Sequence, residues 1–439
     1  MGARETALNA LIACRKEAAW SNGILKAYTV RDRLDPRDAA LAARLCYGVL
    51  QNRQKLDYYL KQLLTGRIKD LHPAVRDILH LGLYQIYELD KIPASAAVNE
   101  SVAMAKKYCK KQRSAPGLVN AVLRKAAATR GELEEPTAWE DLYSHPKALI
   151  DLLKKDIGSA RLLGMMQADN AIADTVIQVN TLRTTGEALA QALEADGVGV
   201  QPHPWMKNCL VITGTGNLER LQAFRDGLFY VQDAAARLTV DCAEIAKEKP
   251  ARVLDCCAAP GGKSFAAAIA MGDRGSVTSC DIHAHKTELI QNGAQRLGLG
   301  NIRARQQDAT AENPEWTGQM DLVIADVPCS GYGIIRKKPD IRYKDPKDME
   351  QLPNLQLRIL ERQASYVRPG GLLMYSTCTL LRRENEDVVQ AFLEKHPDFR
   401  TEPLPLPPVF PKNESGMLTL APGEYDTDGF FICRLRRNT

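Results

Sequence analysis

Two cysteines that follow neighbouring predicted strands are the residues of this 439-residue chain best suited to covalent chemistry. Cys329 comes shortly after a strand predicted over residues 322–325, and Cys378 shortly after a strand predicted over residues 371–375. Because the carboxyl ends of parallel strands meet at one edge of a sheet, we expect both thiols to face the same pocket. A thiolate can act as a nucleophile, and Asp326 beside the first thiol can supply an acid function.

A loop of small residues after the strand predicted over residues 252–254 is suited to binding a cofactor. It begins at Asp255 and leads into an alanine-rich helix. Small residues allow the backbone to approach a ligand closely, and amides at a helix N-terminus can bind polar ligand atoms. The loop does not match the phosphate-binding P-loop, because that motif requires glycine at position 257, which is Cys. The predicted cofactor contacts in this loop are Cys257, Ala258, Ala259, Pro260, Gly261, Gly262 and Lys263.

Aspartates also follow the other predicted parallel strands. Asp281 follows the strand over residues 276–280, where a carboxylate can accept hydrogen bonds from both hydroxyls of a ribose. Asp308 follows the strand over residues 302–304 and is placed to meet an adenine amino group. Together with Asp326, these residues predict a pocket for a nucleoside cofactor without a pyrophosphate. That favours S-adenosylmethionine over NAD.

A thiol beside such a pocket suits methyl transfer to carbon 5 of cytosine. This carbon is too electron-poor to attack a sulfonium methyl group until a thiolate has added to carbon 6. A free thiol has a pKa near 8.5, so the nucleophile needs local activation. Asp326 is predicted to bind the ring N3 and the exocyclic amine and so to stabilise the adduct.

The combination of these motifs resembles the RNA cytosine-C5 methyltransferases. That family places its nucleophile in the Thr-Cys motif, so the resemblance implies that Cys378 is the nucleophile and that Cys329 assists product release. It also implies that the cofactor loop, Asp281, Asp308 and Asp326 contact S-adenosylmethionine. The segment over residues 230–233 resembles the motif that opens this family's catalytic core.

The N-terminal part of the chain is strongly basic, with 23 Lys and Arg against 11 Asp and Glu in residues 1–130. Such a balance favours a module that binds a polyanion. Residues 98–102 and 117–124 resemble the NusB-like RNA-binding domain, and its fusion to this core is similar to the bacterial 16S rRNA cytosine-C5 methyltransferases of the Fmu/Sun type. The resemblance implies cytosine 967 of 16S rRNA as the target. Methylation of tRNA or 23S rRNA, or a non-catalytic RNA-binding regulator, are the alternatives.

Two basic segments are predicted to contact RNA. The first follows a predicted helix of the N-terminal part, and the second follows the first active-site cysteine and combines cations with an aromatic residue. Their basic residues are Lys106, Lys107, Lys110, Lys111 and Arg113 in the first segment, and Arg336, Lys337, Lys338 and Arg342 in the second.

The elements that position these residues predict an all-α NusB-like domain over residues 1–128, a linker over 129–144 and a small α+β module over 145–228. An α/β Rossmann-like methyltransferase domain with a doubly wound, mostly parallel sheet is predicted over 229–439.

Eleven cysteines without C-x-x-C spacing favour neither a disulfide framework nor a metal site. No apolar run is long enough to cross a membrane. We therefore expect a cytoplasmic monomer that acts on 16S rRNA or a small-subunit assembly intermediate.

Overall fold

Helices build the first of two units of the chain, which comprises Met1–Ala171 together with Ile335–Pro346. The computed structural model describes residues 1–17 and 21–439. The prediction of an all-α N-terminal part is confirmed. The helices are α1 (Ala3–Glu17), α2 (Ser21–Arg31), α3 (Pro36–Gln51), α4 (Arg53–Leu63), α5 (Pro73–Glu88), α6 (Ala94–Tyr108), α7 (Ala115–Ala128), α8 (Trp139–Leu142) and α9 (Lys147–Asn170).

Local sequence signals explain where two of these helices begin. Asp35 precedes Pro36 and accepts a hydrogen bond from the backbone amide of Asp38 at 2.8 Å, which caps α3. His72 precedes Pro73 in the same way at α5. Proline is tolerated in a first turn because the amide that it lacks would have no partner within the helix. Helix α5 is buried around most of its circumference and forms the centre of this core.

The segment over residues 129–144 differs from the predicted linker, because it packs against α4 within the first unit. The Tyr59 hydroxyl donates to Glu135 at 2.8 Å, and the Lys55 amide donates to the Ser144 hydroxyl at 3.0 Å. Helix α9 also falls in this unit, which ends at Ala171. The polar composition of the segment therefore reflects hydrogen bonds rather than a free connection.

The short second piece of the first unit, Ile335–Pro346, is called the strap below. It contains a 3-10 helix over Pro339–Tyr343 and is anchored by side chains of that turn. Tyr343 donates to the carbonyl of Leu50 at 2.8 Å, and the Ser21 hydroxyl donates to Asp340. The strap thus belongs to the first unit, although it lies far along the chain.

The second unit, Ile172–Ile334 with Lys347–Thr439, begins with a small antiparallel sheet. Its strand order is β2-β3-β1-β4, and β4 pairs with β1 so that Val231 lies opposite Ile177. The predicted domain boundary between residues 228 and 229 therefore separates β4 from its own sheet. The elements are β1 (Thr175–Val179), α10 (Gly186–Ala195), β2 (Gly199–Pro202), β3 (Cys209–Thr213), α11 (Gln222–Arg225) and β4 (Phe229–Val231).

A second, eight-stranded sheet forms the centre of this unit, in the order β10-β12-β9-β8-β5-β6-β7, with β11 paired to β12. Strands β5 to β9 are parallel, whereas β12 is antiparallel to β9. The strands are β5 (Arg252–Asp255), β6 (Ser276–Asp281), β7 (Ile302–Gln306), β8 (Met320–Asp326), β9 (Val367–Thr377), β10 (Phe399–Thr401), β11 (Met417–Leu420) and β12 (Phe430–Arg437). The helices are α12 (Ala234–Asp241), α13 (Ile245–Glu248), α14 (Gly262–Ala270), α15 (Ala284–Leu297), α16 (Leu352–Ala364) and α17 (Glu386–Lys395).

The predicted doubly wound, mostly parallel sheet is confirmed, and its order fixes where a ligand can bind. The chain runs from β5 outward through β6 and β7, then returns to the other side of β5 with β8 and β9. The order therefore reverses at β5 and β8, and such sheets bind ligands beyond the carboxyl ends of the strands at this point.

Candidate active site

The two sequence-predicted cysteines lie together, with 3.2 Å between the sulfur atoms of Cys329 and Cys378. Asp326 at the end of β8 lies opposite Ser376 near the end of β9, and the cysteines follow three and two residues later. The parallel register of these two strands thus carries both thiols to the same edge of the sheet. Both side chains are half-buried.

The environment of Cys329 favours its protonated form. The hydrogen bond with Cys378, burial, and the charges of Glu384 and Asp326 together hold the pKa of the Cys329 thiol well above its usual range. A protonated Cys329 can donate its hydrogen to the sulfur of Cys378.

A buried glutamate that the sequence analysis missed holds the loop around Cys329. Glu384 accepts hydrogen bonds from the Ser330 amide and from the Gln356 side chain, both at 2.9 Å and both on Oε2. The same Gln356 amide donates to the carbonyl of Pro328 at 2.9 Å. Both backbone neighbours of Cys329 are thus fixed by one Glu-Gln pair. Glu384 follows two arginines in the sequence, a pattern typical of an exposed turn, so no local signal marks it.

Further hydrogen bonds fix the loop that carries Cys378. The Thr377 hydroxyl donates to Asn385 at 2.6 Å, and the Asn385 amide donates to the carbonyl of Thr379 at 3.1 Å. The Ser330 and Thr379 hydroxyls lie 2.7 Å apart and link the two cysteine loops to each other. These contacts restrict the motion of both thiols relative to the sheet.

Asp326 is held by a lysine from the predicted cofactor loop. Lys263 Nζ lies 2.7 Å from Asp326 Oδ2, and the Ser376 hydroxyl donates to Oδ1 at 2.9 Å. The Lys263 side chain is 8% exposed and that of Asp326 30% exposed. The carboxylate is therefore oriented by the protein and still open on one side.

The loop after β5 has a buried aspartate at its base. Asp255 accepts a hydrogen bond from the Ser264 hydroxyl at 2.7 Å, and Ser264 accepts one from Ser279 at 2.7 Å. Burial raises the pKa of the Asp255 carboxyl to about 7. Its Oδ1 is buried and has no partner in the described part of the chain.

A left-handed backbone conformation lets the same loop turn tightly into α14. Gly261 has a φ of +113°, and a Cβ there would come within 2.4 Å of the Phe265 ring. Only glycine fits this position, as the small-residue pattern predicts. The predicted contacts from Cys257 to Gly261 therefore form the turn between β5 and α14, and Gly262 and Lys263 are the first residues of α14.

The other two predicted cofactor aspartates lie at the ends of β6 and β7. Asp281 is 7% exposed, accepts a hydrogen bond from the His283 amide at 3.0 Å and lies 3.6 Å from Lys286 Nζ. Asp308 is exposed, and hydrogen bonds from the Thr310 amide and hydroxyl hold the pKa of its carboxyl below the usual range. Ile282 next to Asp281 is apolar and 52% exposed, as a surface for an adenine ring requires. This donor and acceptor set fits an adenosine group.

The basic residues predicted to contact RNA have different environments. Lys106, Lys107, Lys110, Lys111 and Arg113 are exposed at and beyond the end of α6, with Lys107 Nζ 2.6 Å from Glu5. In the strap, Arg336, Lys337 and Lys338 are half-buried.

Arg342 is not the exposed cation of a surface loop that the prediction of an RNA contact assumed, because it is buried in the first unit. Its guanidinium donates to the carbonyls of Gln51 and Ser144 at 3.0 and 3.3 Å and to Asn170 Oδ1 at 2.9 Å. The side chain therefore anchors the strap. Burial lowers the pKa of the guanidinium.

The described residues form neither a metal site nor a helix that could span a membrane. In residues 1–17 and 21–439, no three His, Cys, Asp or Glu side chains are grouped so that they could hold a metal ion. No helix in these ranges is long and apolar enough to cross a membrane.

Comparison with known families divides the chain into matches to three family models. Residues 1–128 match the NusB family, and residues 145–219 match the ferredoxin-like domain of RsmF/B-like methyltransferases. Residues 243–436 match the family described as 16S rRNA methyltransferase RsmB/F.

Two solved structures share the fold. The crystal structure of PH0851 covers 99% of this chain and 98% of its own, with a TM-score of 0.80 and 25% identity. The structure of NSun6 from Pyrococcus horikoshii with SFG covers 68% of this chain and 100% of its own, with a TM-score of 0.60 and 21% identity.

Curated relatives match over nearly the whole chain. A Bacillus subtilis protein named "Probable ribosomal RNA small subunit methyltransferase B" is 35% identical over 99% of this chain and 98% of its own length. The Vibrio cholerae ribosomal RNA small subunit methyltransferase B is 32% identical over 93% of this chain and 91% of its own. The chain therefore belongs to the ribosomal RNA small subunit methyltransferase B family, which matches the resemblance recognised in its motifs.

Proposed function

We propose that the protein methylates carbon 5 of a cytosine in 16S rRNA, with cytosine 967 as the target implied by the family resemblance. S-adenosylmethionine supplies the methyl group. The observation that carries the proposal is the pair of thiols 3.2 Å apart at the ends of β8 and β9. Methyl transfer to oxygen or nitrogen needs no such pair, whereas transfer to pyrimidine carbon 5 needs a nucleophile at carbon 6.

The reaction begins with attack by Cys378. Its thiolate forms a bond to carbon 6, and the electron pair of the carbon 5–carbon 6 double bond moves so that carbon 5 becomes nucleophilic. Carbon 5 would then take the methyl group, and the methyl–sulfur bond of the sulfonium would break with its electron pair left on that sulfur. Loss of the carbon 5 proton to a base restores the double bond and expels Cys378 as a thiolate.

Asp326 is proposed to bind the cytosine ring during these steps. Lys263 and Ser376 hold its carboxylate from two sides, and its exposed side is open to the base. In its protonated form Asp326 would donate its hydrogen to N3, which takes up the negative charge that develops on the ring as sulfur adds, and its other oxygen would accept a hydrogen bond from the exocyclic amine.

Cys329 is proposed to act after methyl transfer. Its raised pKa means that it retains a proton while Cys378 attacks. It can then help to remove the carbon 5 proton or help Cys378 to leave. Cys329 is therefore not required for formation of the adduct.

Trapping the covalent intermediate tests this division of work. We expect Cys329→Ala to accumulate a protein–RNA adduct, visible as a shifted band in a denaturing gel, and the double variant with Cys378→Ala to lose it. Cys378→Ala alone is expected to abolish methylation and to form no adduct. Cys14→Ala is the matched control, because Cys14 is also half-buried but lies in the first unit. An adduct in Cys378→Ala that depends on Cys329 would assign the nucleophile to the Pro-Cys motif instead.

The RNA target is tested separately by bisulfite sequencing. Total RNA from a deletion strain is compared with RNA from the same strain carrying the wild-type or Cys378→Ala protein. We expect one 16S rRNA cytosine to lose and regain protection. Protection that changes only in tRNA or 23S rRNA would favour the alternative substrates.

Gel filtration and cell fractionation test the further expectation of a cytoplasmic monomer.

A further inference from the structure

A cavity of about 330 Å³ lies within the first unit, among the beginnings of three helices and the strap. Arg53 and Gln54 stand in the first turn of α4, Arg76 in the first turn of α5, and Ala148 in the first turn of α9. Lys344 of the strap completes the basic lining. No step of the proposed reaction uses this cavity.

Backbone amides contribute positive partial charge to the cavity. Asn52 and Pro146, which precede α4 and α9, make no side-chain hydrogen bond to the helix amides. In α4 the Lys55 amide is nevertheless bound by the Ser144 hydroxyl at 3.0 Å, so this helix offers fewer open amides than its length allows. The first amides of a helix have no partner within it, and together with the helix dipole they attract anions. Helix α4 has 11 residues, and the part of α9 before its non-helical Gly158 extends from Lys147 to Ile157, so both carry a helix dipole.

The charged side chains of the lining leave a net positive charge. Arg53, Arg76, Arg342 and Lys344 face a single carboxylate, that of Asp57. Asp57 is bound by Arg76 and lies 2.8 Å from His80 Nε2. Burial alone would raise the pKa of the Asp57 carboxyl, but these two partners lower it to about 2. The one acidic side chain is therefore neutralised by its own neighbours.

A buried donor in the lining has no partner. Arg342 is 1% exposed, and its Nε has no hydrogen-bond partner in the part of the chain that the structure describes. Its Nη atoms are used by carbonyl and amide oxygens, as described above. A buried donor without an acceptor is costly, and an oxygen of a bound anion would supply one.

We propose that this cavity binds a backbone phosphate of the RNA substrate, which rests on the proposed function in that RNA is the substrate. Arg53 and Lys344 are only half-buried, so the cavity is open to a polymer as well as to a free ion. The Arg53 guanidinium also lies 5.1 Å from the centre of the Tyr343 ring, which orients it at the rim. The excess of basic residues in this unit supports a polyanion rather than a small metabolite.

Binding of a fluorescent 16S rRNA fragment to the full-length protein, followed by anisotropy at several salt concentrations, tests the proposal. We expect Arg53→Gln and Lys344→Gln each to weaken binding about tenfold. The slope of log K against log salt should fall by about 0.7 to 0.9 for one lost phosphate contact. S-adenosylmethionine affinity should not change. Arg67→Gln is the matched control, since Arg67 is an exposed arginine of the same unit that pairs with Asp70.

Unchanged RNA affinity and salt slope in both variants would overturn the proposal. So would loss of inorganic phosphate binding in Arg53→Gln with wild-type RNA binding, because the cavity would then be a site for small anions. A different result would contradict the proposed function. In that case Arg53→Gln shows the expected change in salt slope, but the wild-type protein methylates no cytosine in 16S rRNA.

Discussion

Replacing Glu384 by alanine should separate formation of the covalent adduct from its release. Glu384 is fully buried, and its Oε2 accepts two hydrogen bonds, one of them from the Ser330 amide next to Cys329. Glu384→Ala leaves that amide buried without an acceptor, which costs about 1 to 3 kcal/mol unless the loop moves. Movement of the loop relieves this cost but displaces Cys329 from Cys378. A displacement of about 1 Å can slow a chemical step about a hundredfold.

The expected result is slow release with adduct formation largely retained. Single-turnover reactions with labelled S-adenosylmethionine give the rate of methyl transfer, and denaturing gels give the rate at which the adduct decays. Glu384→Gln is the control, since its amide oxygen can accept the same two hydrogen bonds without the charge. Removing the charge also lowers the pKa of Cys329 towards its ordinary value, so release in Glu384→Gln should respond to pH in a lower range. A folded Glu384→Ala protein with wild-type release would refute the positioning role, as would selective loss of methyl transfer.

Three further predictions concern other parts of the chain. Asp281→Asn should weaken S-adenosylmethionine binding about 10- to 100-fold by calorimetry, because charge-assisted hydrogen bonds to a ribose contribute about 1.5–3 kcal/mol, and unchanged affinity would remove its role. The raised pKa of Asp255, about 7, means that its contribution to stability is complete below pH 4 and is lost as pH rises through 7. Between pH 4 and 8 the free energy of unfolding of the wild-type protein, measured in urea, should therefore fall by up to about 4 kcal/mol more than that of Asp255→Asn. The same dependence of this free energy on pH in both proteins would contradict the prediction. Replacing Lys110, Lys111 and Arg113 by glutamine should reduce the salt dependence of RNA binding, and an identical slope would exclude these residues from the interface.

The residues at the strand ends could be predicted because the apolar run of a buried strand and the polar residue after it are both local features of the sequence. A parallel strand buried on both faces is a short apolar run, and a polar residue directly after it marks the edge of the sheet. Asp281, Asp326, Cys329 and Cys378 follow such runs, so their position at one edge of the sheet follows from the parallel direction of the strands. The short edge strands β2, β10 and β11 carry weaker patterns and were not predicted.

The environments of Arg342 and Glu384 could not be predicted, because they depend on residues distant in sequence. Arg342 is surrounded by charged residues, which indicates an exposed loop, yet its acceptors include Gln51 and Ser144, almost 300 and 200 positions earlier. Glu384 is buried only because Gln356 and Ser330 supply donors. A charged side chain is normally exposed, and only the folded structure shows which ones have partners.

The strap also affects how the chain folds during its synthesis. The first unit needs Ile335–Pro346, yet about 175 residues separate Ala171 from the end of the strap. At about 5–20 residues per second, a ribosome takes about 9–35 s to produce them. During this interval the carbonyls of Gln51 and Ser144 are without Arg342, the residue that binds them in the folded chain. The order of synthesis and the order of completion therefore differ, because the first unit is completed only after β5 to β8 of the second unit have been made.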